Sequence, residues 1–132
     1  MDDREIRERN ARTVEAFYEA ERTRDIAKWE TFWHEDGRIT LRFSGDPAPT
    51  VGRAALVELT RRKFEIRPPY RMDVGVEPLV DPSLVLARNR LHLKDSVVST
   101  LDLWCMFHFD GDGLITEVEE IADGSAGPVF PE

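Results

Sequence analysis

The sequence predicts an α+β domain in which three helices pack against a mainly antiparallel sheet. Two observations lead to this expectation. Apolar residues recur at helical spacing through most of the first 66 positions, whereas residues 70–121 alternate between apolar and polar side chains. Turn residues divide this second part into several strands. A chain of 132 residues is long enough for one real core but not for two, so residues 1–132 are expected to form a single domain.

Three helices are expected in the first half of the chain. The predicted first helix spans residues 3–22, and one of its faces carries Ile6, Val14, Phe17 and Tyr18. A second, short helix should begin near residue 25 and continue to the Asp-Gly pair at 36–37, because aromatic residues repeat at helical spacing at Trp29, Phe32 and Trp33. The third helix is predicted from about 52 to 66, where two prolines end it.

Five strands are predicted from alternating apolar and polar side chains, at residues 39–43, 70–76, 84–93, 97–109 and 114–121. Residues 45–49 read Gly-Asp-Pro-Ala-Pro and are expected to form a loop. Turn residues separate the last four strands, so these strands should form an antiparallel meander. The Asp-Gly turn at 110–113 marks the start of the final strand.

The register between the third and fourth predicted strands can be chosen by asking which register sorts apolar and polar side chains onto separate faces. A three-residue loop at 94–96 collects the apolar side chains on one face, with Asn89 as the lone amide among them. The same register sets Arg88 opposite Asp102. The apolar face is expected to pack against the helices.

The opposite face of this sheet is polar but also carries Trp104 and Met106. Aromatic residues and methionine are enriched at protein interfaces, and a polar face with a few of them suits a contact between subunits. We therefore expect a homodimer formed through this face.

Charge argues against two classes of partner. The net charge is −8, whereas nucleic acids and acidic membranes are bound by clustered Lys and Arg. Residues 61–63, Arg-Arg-Lys, are a local exception and are interpreted as the solvated face of the third helix. We expect neither nucleic acid nor a membrane as a partner.

Other sequence signals limit the cellular compartment and the kinds of catalytic site that the chain could have. The single cysteine, Cys105, cannot form a disulfide within the chain, and the first residues lack the pattern of a signal peptide. No apolar run approaches the length of a membrane span, and we expect a cytoplasmic protein. There is no phosphate-binding loop or nucleophile elbow, and His34, His92 and His108 lack ligand spacing. We therefore expect no cofactor and no metal.

Two adjacent carboxylates, Glu119 and Glu120, lie in the final predicted strand. Neighbouring side chains of a strand point to opposite faces, so one of the two should face the interior. An inward carboxylate is either a costly structural feature or a working acid or base. Strand periodicity leaves open which of the two is inside, and a bulge would exchange them.

The order of the elements resembles the nuclear transport factor 2-like superfamily, whose cone-shaped α+β fold packs three helices on a curved sheet. Two segments are more specific. Residues 9–37 are similar to the phenazine-biosynthesis A/B proteins, and residues 113–120 are similar both to that family and to the SnoaL-like polyketide cyclases. In both families the acid/base carboxylate falls at the position of Glu120. The resemblance therefore implies that Glu120 faces the pocket and Glu119 faces outward.

The chain also departs from its relatives at positions that carry chemistry. The phenazine proteins place a histidine and a serine on the third helix, at positions that here hold Leu59 and Lys63. Ketosteroid isomerases use a tyrosine and two aspartates at positions that here hold Phe17, Leu41 and Cys105. The Arg-x-Asp pair of limonene-type epoxide hydrolases falls near residues 88–90, where the aspartate is missing. These departures argue against all three of those reactions.

The inward faces and the resemblance together predict a mainly apolar cavity with Glu120 as general acid and base. Its expected substrate-binding walls are Phe17, Trp33, Leu41, Phe64, Asn89, Leu103 and Cys105. The predicted function is an isomerisation, cyclisation, dehydration or condensation of an apolar, carbonyl-bearing or conjugated small molecule. The alternative is a non-catalytic module on the same fold that binds a small ligand or dimerises, since the sequence is short of a second polar catalytic group beside Glu120.

Overall fold

Three helices pack against a six-stranded sheet in the computed structural model, which describes residues 1–42, 48–93 and 100–122. The helices are α1 (Asp3–Arg22), α2 (Ile26–Thr31) and α3 (Arg53–Ile66). Aspartates fix the starts of the first two: the side chain of Asp2 accepts a hydrogen bond from the Glu5 backbone N–H at 2.8 Å, and that of Asp25 accepts from the Lys28 N–H at 3.1 Å.

The sheet contains the strands β1 (Trp33–Arg42), β2 (Thr50–Val51), β3 (Arg71–Pro78), β4 (Leu84–His92), β5 (Thr100–Phe109) and β6 (Ile115–Ala122). Their order across the sheet is β2-β1-β6-β5-β4-β3. The last four strands form the predicted antiparallel meander, and β1 joins it by pairing with β6 in parallel. The predicted α+β class is therefore confirmed.

The turn into β6 is built by one aspartate and one glycine. The Asp110 side chain accepts hydrogen bonds from the backbone N–H groups of Asp112 and Leu114, both at 2.9 Å. Gly113 adopts a φ of 85°, which L-residues with a Cβ rarely take. This turn fixes where β6 begins and hence which face of the sheet each of its side chains reaches.

The predicted end of the second helix was wrong. The helix stops at Thr31, and Trp33 is already the first residue of β1. The reason is tertiary pairing: the Ile115 backbone N–H donates to the Phe32 carbonyl at 2.9 Å, so the start of β6 draws this segment into the sheet. The aromatic spacing that suggested a longer helix reflects packing in the core.

The predicted register of the β4–β5 hairpin was wrong by two residues. Asp102 lies opposite Arg90, not Arg88, and accepts two hydrogen bonds from it at 2.8 and 3.1 Å. A shift by an even number keeps every side chain on its predicted face, so the sorting into an apolar and a polar face holds. The proposed loop at 94–96 and the predicted strand residues 43 and 97–99 lie outside the described residues.

The core lies between the helices and the inner face of the sheet. Its largest fully buried side chains include Val14, Trp33, Leu56, Val85, Phe107 and Ile115. The short strand β2 was not predicted; it pairs antiparallel with β1 through two residues. Among the described residues, no helix is both long and apolar enough to span a membrane.

Candidate active site

Glu120 lies in the middle of the sheet with its side chain on the inner face. It sits on β6, opposite Cys105 of β5 and beside Leu41 of β1, and only 6% of its surface is exposed. Glu119 points to the outer face, where it accepts a hydrogen bond from Arg42 at 3.3 Å and contacts His108 at 2.7 Å. The strand alternation thus separates the two carboxylates into different environments.

A cavity of about 30 Å³ lies beside Glu120, between α1, α3 and the inner face of the sheet. This volume holds about two water molecules. Five of the residues considered from the sequence line it: Phe17, Asn89, Leu103, Cys105 and Glu120. The wall also contains residues that the sequence analysis did not place there: Tyr18, Glu21, Trp29, Ile39, Thr60, Lys63, Tyr70, Met72, Leu91 and Val118.

Three other predicted wall residues do not line this cavity. Trp33 is fully buried in the aromatic core, with its ring centroid 6.0 Å from that of Phe17. Leu41 is the neighbour of Glu120 across the β1–β6 pair, but its side chain packs against the edge of the core. The Phe64 ring lies under the Arg24 guanidinium, 4.9 Å from the ring centroid, and 5.6 Å from the Lys63 ammonium. A pattern of faces cannot distinguish a cavity wall from the packed layer beside it.

The cavity wall is mainly apolar, as expected, but it also contains a buried ion pair that the sequence analysis did not predict. Lys63 on α3 is only 2% exposed, and its ammonium donates a hydrogen bond to the Glu21 carboxylate on α1. The Tyr70 hydroxyl donates to the same carboxylate oxygen at 3.4 Å. Two helices and the residue just before β3 therefore converge on one charged cluster.

Lys63 was missed because the Arg-Arg-Lys run at 61–63 was interpreted as one solvated face. That interpretation was wrong for Lys63. A signal was available in the helical spacing: Leu56, Thr60 and Lys63 lie at i, i+4 and i+7, and all three are buried. Arg61 and Arg62 fall on the exposed side of the same helix.

Burial sets the protonation of Glu120. Loss of solvation raises the pKa of Glu120 to about 8, with the Lys63 charge opposing the shift and the Glu21 charge adding to it. Burial alone would lower the pKa of Lys63, but the charge of Glu21, followed by Tyr70, outweighs burial and raises it. Near neutral pH the cavity therefore holds a mostly protonated carboxyl group and a charged ammonium.

Asn89 of β4 adds a further polar group to the cavity wall. Its amide nitrogen donates to the Tyr18 hydroxyl at 2.9 Å and lies 3.6 Å from the Cys105 sulfur. Burial, followed by the Glu120 charge, raises the pKa of the Cys105 thiol, which argues against a nucleophilic thiolate. The burial of Tyr18 likewise raises the pKa of its hydroxyl.

Several buried polar atoms of cavity residues have no hydrogen-bond partner among the described residues. They are Glu120 Oε2, Asn89 Oδ1, Thr60 Oγ1 and the Trp29 indole nitrogen. A buried polar atom is normally paired, and a pair is worth about 1 kcal/mol or more. Their concentration around one cavity marks a place where water or a ligand supplies the missing partners.

One group of side chains has the composition of a metal site, on the outer face of the sheet. Ligand atoms of His108, Glu117 and Glu119 lie within 4.8 Å of one another. Both carboxylates are also paired with arginines, Glu117 with Arg38 at 3.1 Å and Glu119 with Arg42 at 3.3 Å. The arginines already neutralise the carboxylates, so the cluster is satisfied as a network of ion pairs.

Comparison with known proteins agrees with the fold. The family described as the SnoaL-like domain matches residues 14–118. A phenazine biosynthesis-related protein from Pseudomonas aeruginosa superposes with a TM-score of 0.78 at 20% identity, covering 95% of this chain and 86% of that one. A putative polyketide cyclase from Xanthomonas campestris pv. campestris gives 0.73 at 20% identity, covering 94% and 98%.

A third structure, from Mycobacterium tuberculosis, was solved in complex with estradiol-17beta-hemisuccinate. It gives a TM-score of 0.67 at 14% identity and covers 82% of this chain and 88% of that one. No curated protein sequence matches the chain significantly. The match over residues 14–118, together with the three-helix and six-strand architecture, shows that the chain belongs to the SnoaL-like domain family within the nuclear transport factor 2-like superfamily.

Proposed function

We propose that this protein is a small-molecule enzyme in which Glu120 acts as general acid and base. One observation carries the proposal: the Glu120 carboxyl group is buried beside a cavity, and one of its oxygens has no hydrogen-bond partner among the described residues. The charge of the buried Lys63 ammonium also acts on this carboxyl group. Burying such a group is costly, and a raised pKa in a cavity is typical of catalytic carboxyls. The SnoaL-like family supports the same chemistry.

A carboxyl group with a pKa of about 8 suits proton transfer in both directions. At pH 7 about one molecule in ten would carry it ionised and able to accept a proton. The protonated majority can donate. Reactions that need one group to take a proton and return it include isomerisation, cyclisation, dehydration and condensation of carbonyl-bearing or conjugated molecules.

The substrate needs more room than the cavity offers in this conformation. A groove of about 340 Å³ lies next to it, between α1 and β3, and two residues, Tyr18 and Met72, belong to the walls of both. Small-molecule sites usually measure about 300–1,000 Å³. Movement of the flexible Met72 side chain would join the two spaces. The proposed ligand places a polar end at Glu120 and an apolar body along Val74 and Val76 in the groove.

The decisive experiment is a proton-exchange assay in D₂O with a panel of small ketones, esters and thioesters. NMR would follow deuterium uptake at the carbon next to the carbonyl. Glu120→Gln keeps the shape of the neutral acid and should lower exchange by about 10²-fold or more. Glu119→Gln is the matched control, since Glu119 lies on the outer face, and it should change the rate less than a few fold. Exchange that survives Glu120→Gln would rule out the acid/base role.

Two observations favour the alternative of a non-catalytic binding module. The cavity holds only about two waters, and its ammonium is already paired with Glu21. On this alternative, ligands should raise the melting temperature of the wild type and of Glu120→Gln equally, with no exchange by either protein. The two functions thus make opposite predictions for the same pair of proteins.

We also propose that the outer face of the sheet forms a homodimer. Trp104 is 50% exposed and Ile121 is 47% exposed, and they are direct cross-strand neighbours of β5 and β6. Large apolar side chains that adjoin on a sheet face are typical of interfaces. The ion pair Arg90–Asp102 borders them and would lie at the polar rim.

A further inference from the structure

We infer that Lys63, held in place by Glu21, binds the substrate oxygen on which negative charge develops when Glu120 removes a proton. This inference rests on the proposed function and deepens it. It assigns a second catalytic residue to the site, on α3 and opposite Glu120. The assignment follows from where the ammonium lies in the fold and which groups surround it.

Lys63 and Glu120 reach one cavity from opposite layers of the fold. Lys63 projects from α3 and Glu120 from β6, and both side chains are part of the cavity wall. The ammonium charge acts on Glu120, whose pKa it lowers against the effect of burial, while the Glu21 charge acts in the opposite direction. A molecule that occupies this space would lie between an acid/base and a fixed positive charge.

Glu21 explains how the ammonium remains charged in the interior. An isolated buried ammonium would lose its proton, but the carboxylate of Glu21 accepts its hydrogen bond and the Tyr70 hydroxyl supports that carboxylate. A buried ion pair also has a purely structural interpretation, since many such pairs can be replaced by apolar residues at little cost. A pair with a purely structural role is expected inside the packed core, with no cavity beside it.

This pair instead borders a cavity with unsatisfied polar atoms. Thr60 lies one helical turn before Lys63, and its hydroxyl oxygen has no partner among the described residues. Glu120 Oε2 and Asn89 Oδ1 are unpaired on the sheet side of the same cavity. The Thr60 hydroxyl can donate to a ligand oxygen beside the Lys63 ammonium, whereas Asn89 Oδ1 accepts hydrogen bonds and suits a ligand O–H or N–H group. The positive charge is fixed before the reaction begins.

The chemistry balances without any further reactant. Glu120 as carboxylate takes a proton from the carbon next to the carbonyl. The C–H electron pair becomes a C=C bond, and the carbonyl π electrons move to oxygen. Lys63 keeps all its protons and stabilises the resulting enolate by charge. Glu120 as carboxylic acid then returns the proton, either to the same carbon or to a conjugated one, and the carbonyl reforms.

A binding experiment tests this inference without relying on turnover. The probe is 4-nitrophenol, whose phenolate resembles an enolate and differs from the phenol in absorbance. Titration with the whole 132-residue chain at several pH values gives the affinity for each form. We expect the wild type to bind the phenolate at least tenfold more tightly than the phenol, so that the pKa of the bound probe falls by a unit or more.

Removing Lys63 alone would leave Glu21 buried and unpaired, so the main variant is the double substitution Lys63→Met with Glu21→Gln. It should lose the tenfold preference for the phenolate while retaining the circular dichroism of the wild type. The matched control is Arg90→Met with Asp102→Asn, which removes an ion pair on the outer face and should retain the preference. The inference is wrong if the wild type and the Lys63 and Glu21 double variant prefer the phenolate equally, or if the wild type shows no preference.

The outcome for Lys63 can be separated from the outcome for Glu120. Glu120→Gln should still prefer the phenolate, since it keeps the ammonium, yet it should lose deuterium exchange. The Lys63 and Glu21 double variant should lose exchange by about 10²-fold through kcat with KM little changed. Loss of exchange in Glu120→Gln together with an unaltered phenolate preference in the double variant would leave the proposed function intact and overturn the role of Lys63.

Discussion

Lys63 and Glu120 share a cavity that neither the helices nor the sheet would form alone. Lys63 lies at the seventh position after Leu56 on the inner face of α3, and Glu120 lies at an inward position of β6. One brings a charge that Glu21 keeps in place, and the other brings a carboxyl group that burial keeps largely protonated. The pair therefore combines an electrophile with a proton-transfer group, and its physical properties lead to measurable predictions.

The stability of the protein should depend on pH through Glu120. The folded state raises the pKa of this group from 4.5 to about 8, so between these values the folded state binds a proton that the unfolded state has released. The contribution is fully present below pH 4.5 and is lost as pH rises through 8. Wild type should therefore lose unfolding free energy relative to Glu120→Gln, at most about 1.4 kcal/mol per pH unit.

Urea unfolding of both proteins at pH 5, 6, 7 and 8 measures this difference. At pH 5 the wild-type carboxyl and the glutamine amide are both neutral in the folded state, which makes that point the internal control. A constant difference between the two proteins from pH 5 to 8 would mean that Glu120 titrates normally, and the basis for its acid/base role would be gone.

The Lys63–Glu21 pair should show strong energetic coupling. Both side chains are at least nine-tenths buried, so Lys63→Met alone leaves an uncompensated carboxylate and should cost about 3–5 kcal/mol of unfolding free energy. The double variant with Glu21→Gln should recover much of that loss. Denaturant melts of the four proteins of this cycle give the coupling energy, and additive costs would show that the two groups are not paired in solution.

Sequence periodicity shows which face of an element a side chain occupies, and this limits how much of the site the sequence could predict. A period of two states that Glu119 and Glu120 diverge, and a period of 3.6 would have grouped Lys63 with Leu56 and Thr60. Neither period states which polar side chains from different elements meet. The partnership of Lys63 with Glu21 spans 42 positions and depends on how α1 and α3 pack, which local sequence does not encode.

The fold was predicted more completely than the site, because binary patterns decide it. The first helix was predicted with its observed bounds, and the four-strand meander was predicted in its observed order. The errors have long-range causes. Trp33 lies in β1 because it pairs in parallel with Ile115. An alternating pattern fixes only the face that each side chain occupies, so it leaves the register of the β4–β5 hairpin open to any shift by an even number of residues.

Asn89 and Tyr18 should be coupled through their buried hydrogen bond of 2.9 Å. Asn89→Leu has similar volume but removes the amide donor from the Tyr18 hydroxyl, and it should lower the unfolding free energy by about 1–3 kcal/mol. Adding Tyr18→Phe removes the stranded hydroxyl and should restore part of the loss. Thermal or urea melts of the two single variants and the double variant test this. Costs that simply add would show that the bond contributes nothing.

The dimer proposal makes a prediction for Trp104 that a change in overall charge cannot explain. At micromolar concentration the wild type should sediment as a dimer. Trp104→Arg should weaken association at least tenfold, because it places a charge beside Ile121, the exposed apolar neighbour of Trp104 on the outer face. Val80→Arg is the matched control: Val80 is 88% exposed, lies in the turn between β3 and β4, and receives the same added charge. It should leave the sedimentation coefficient unchanged. A wild type that sediments as a monomer would rule out the interface, and an equal effect of both arginines would assign any association to charge and not to the sheet face.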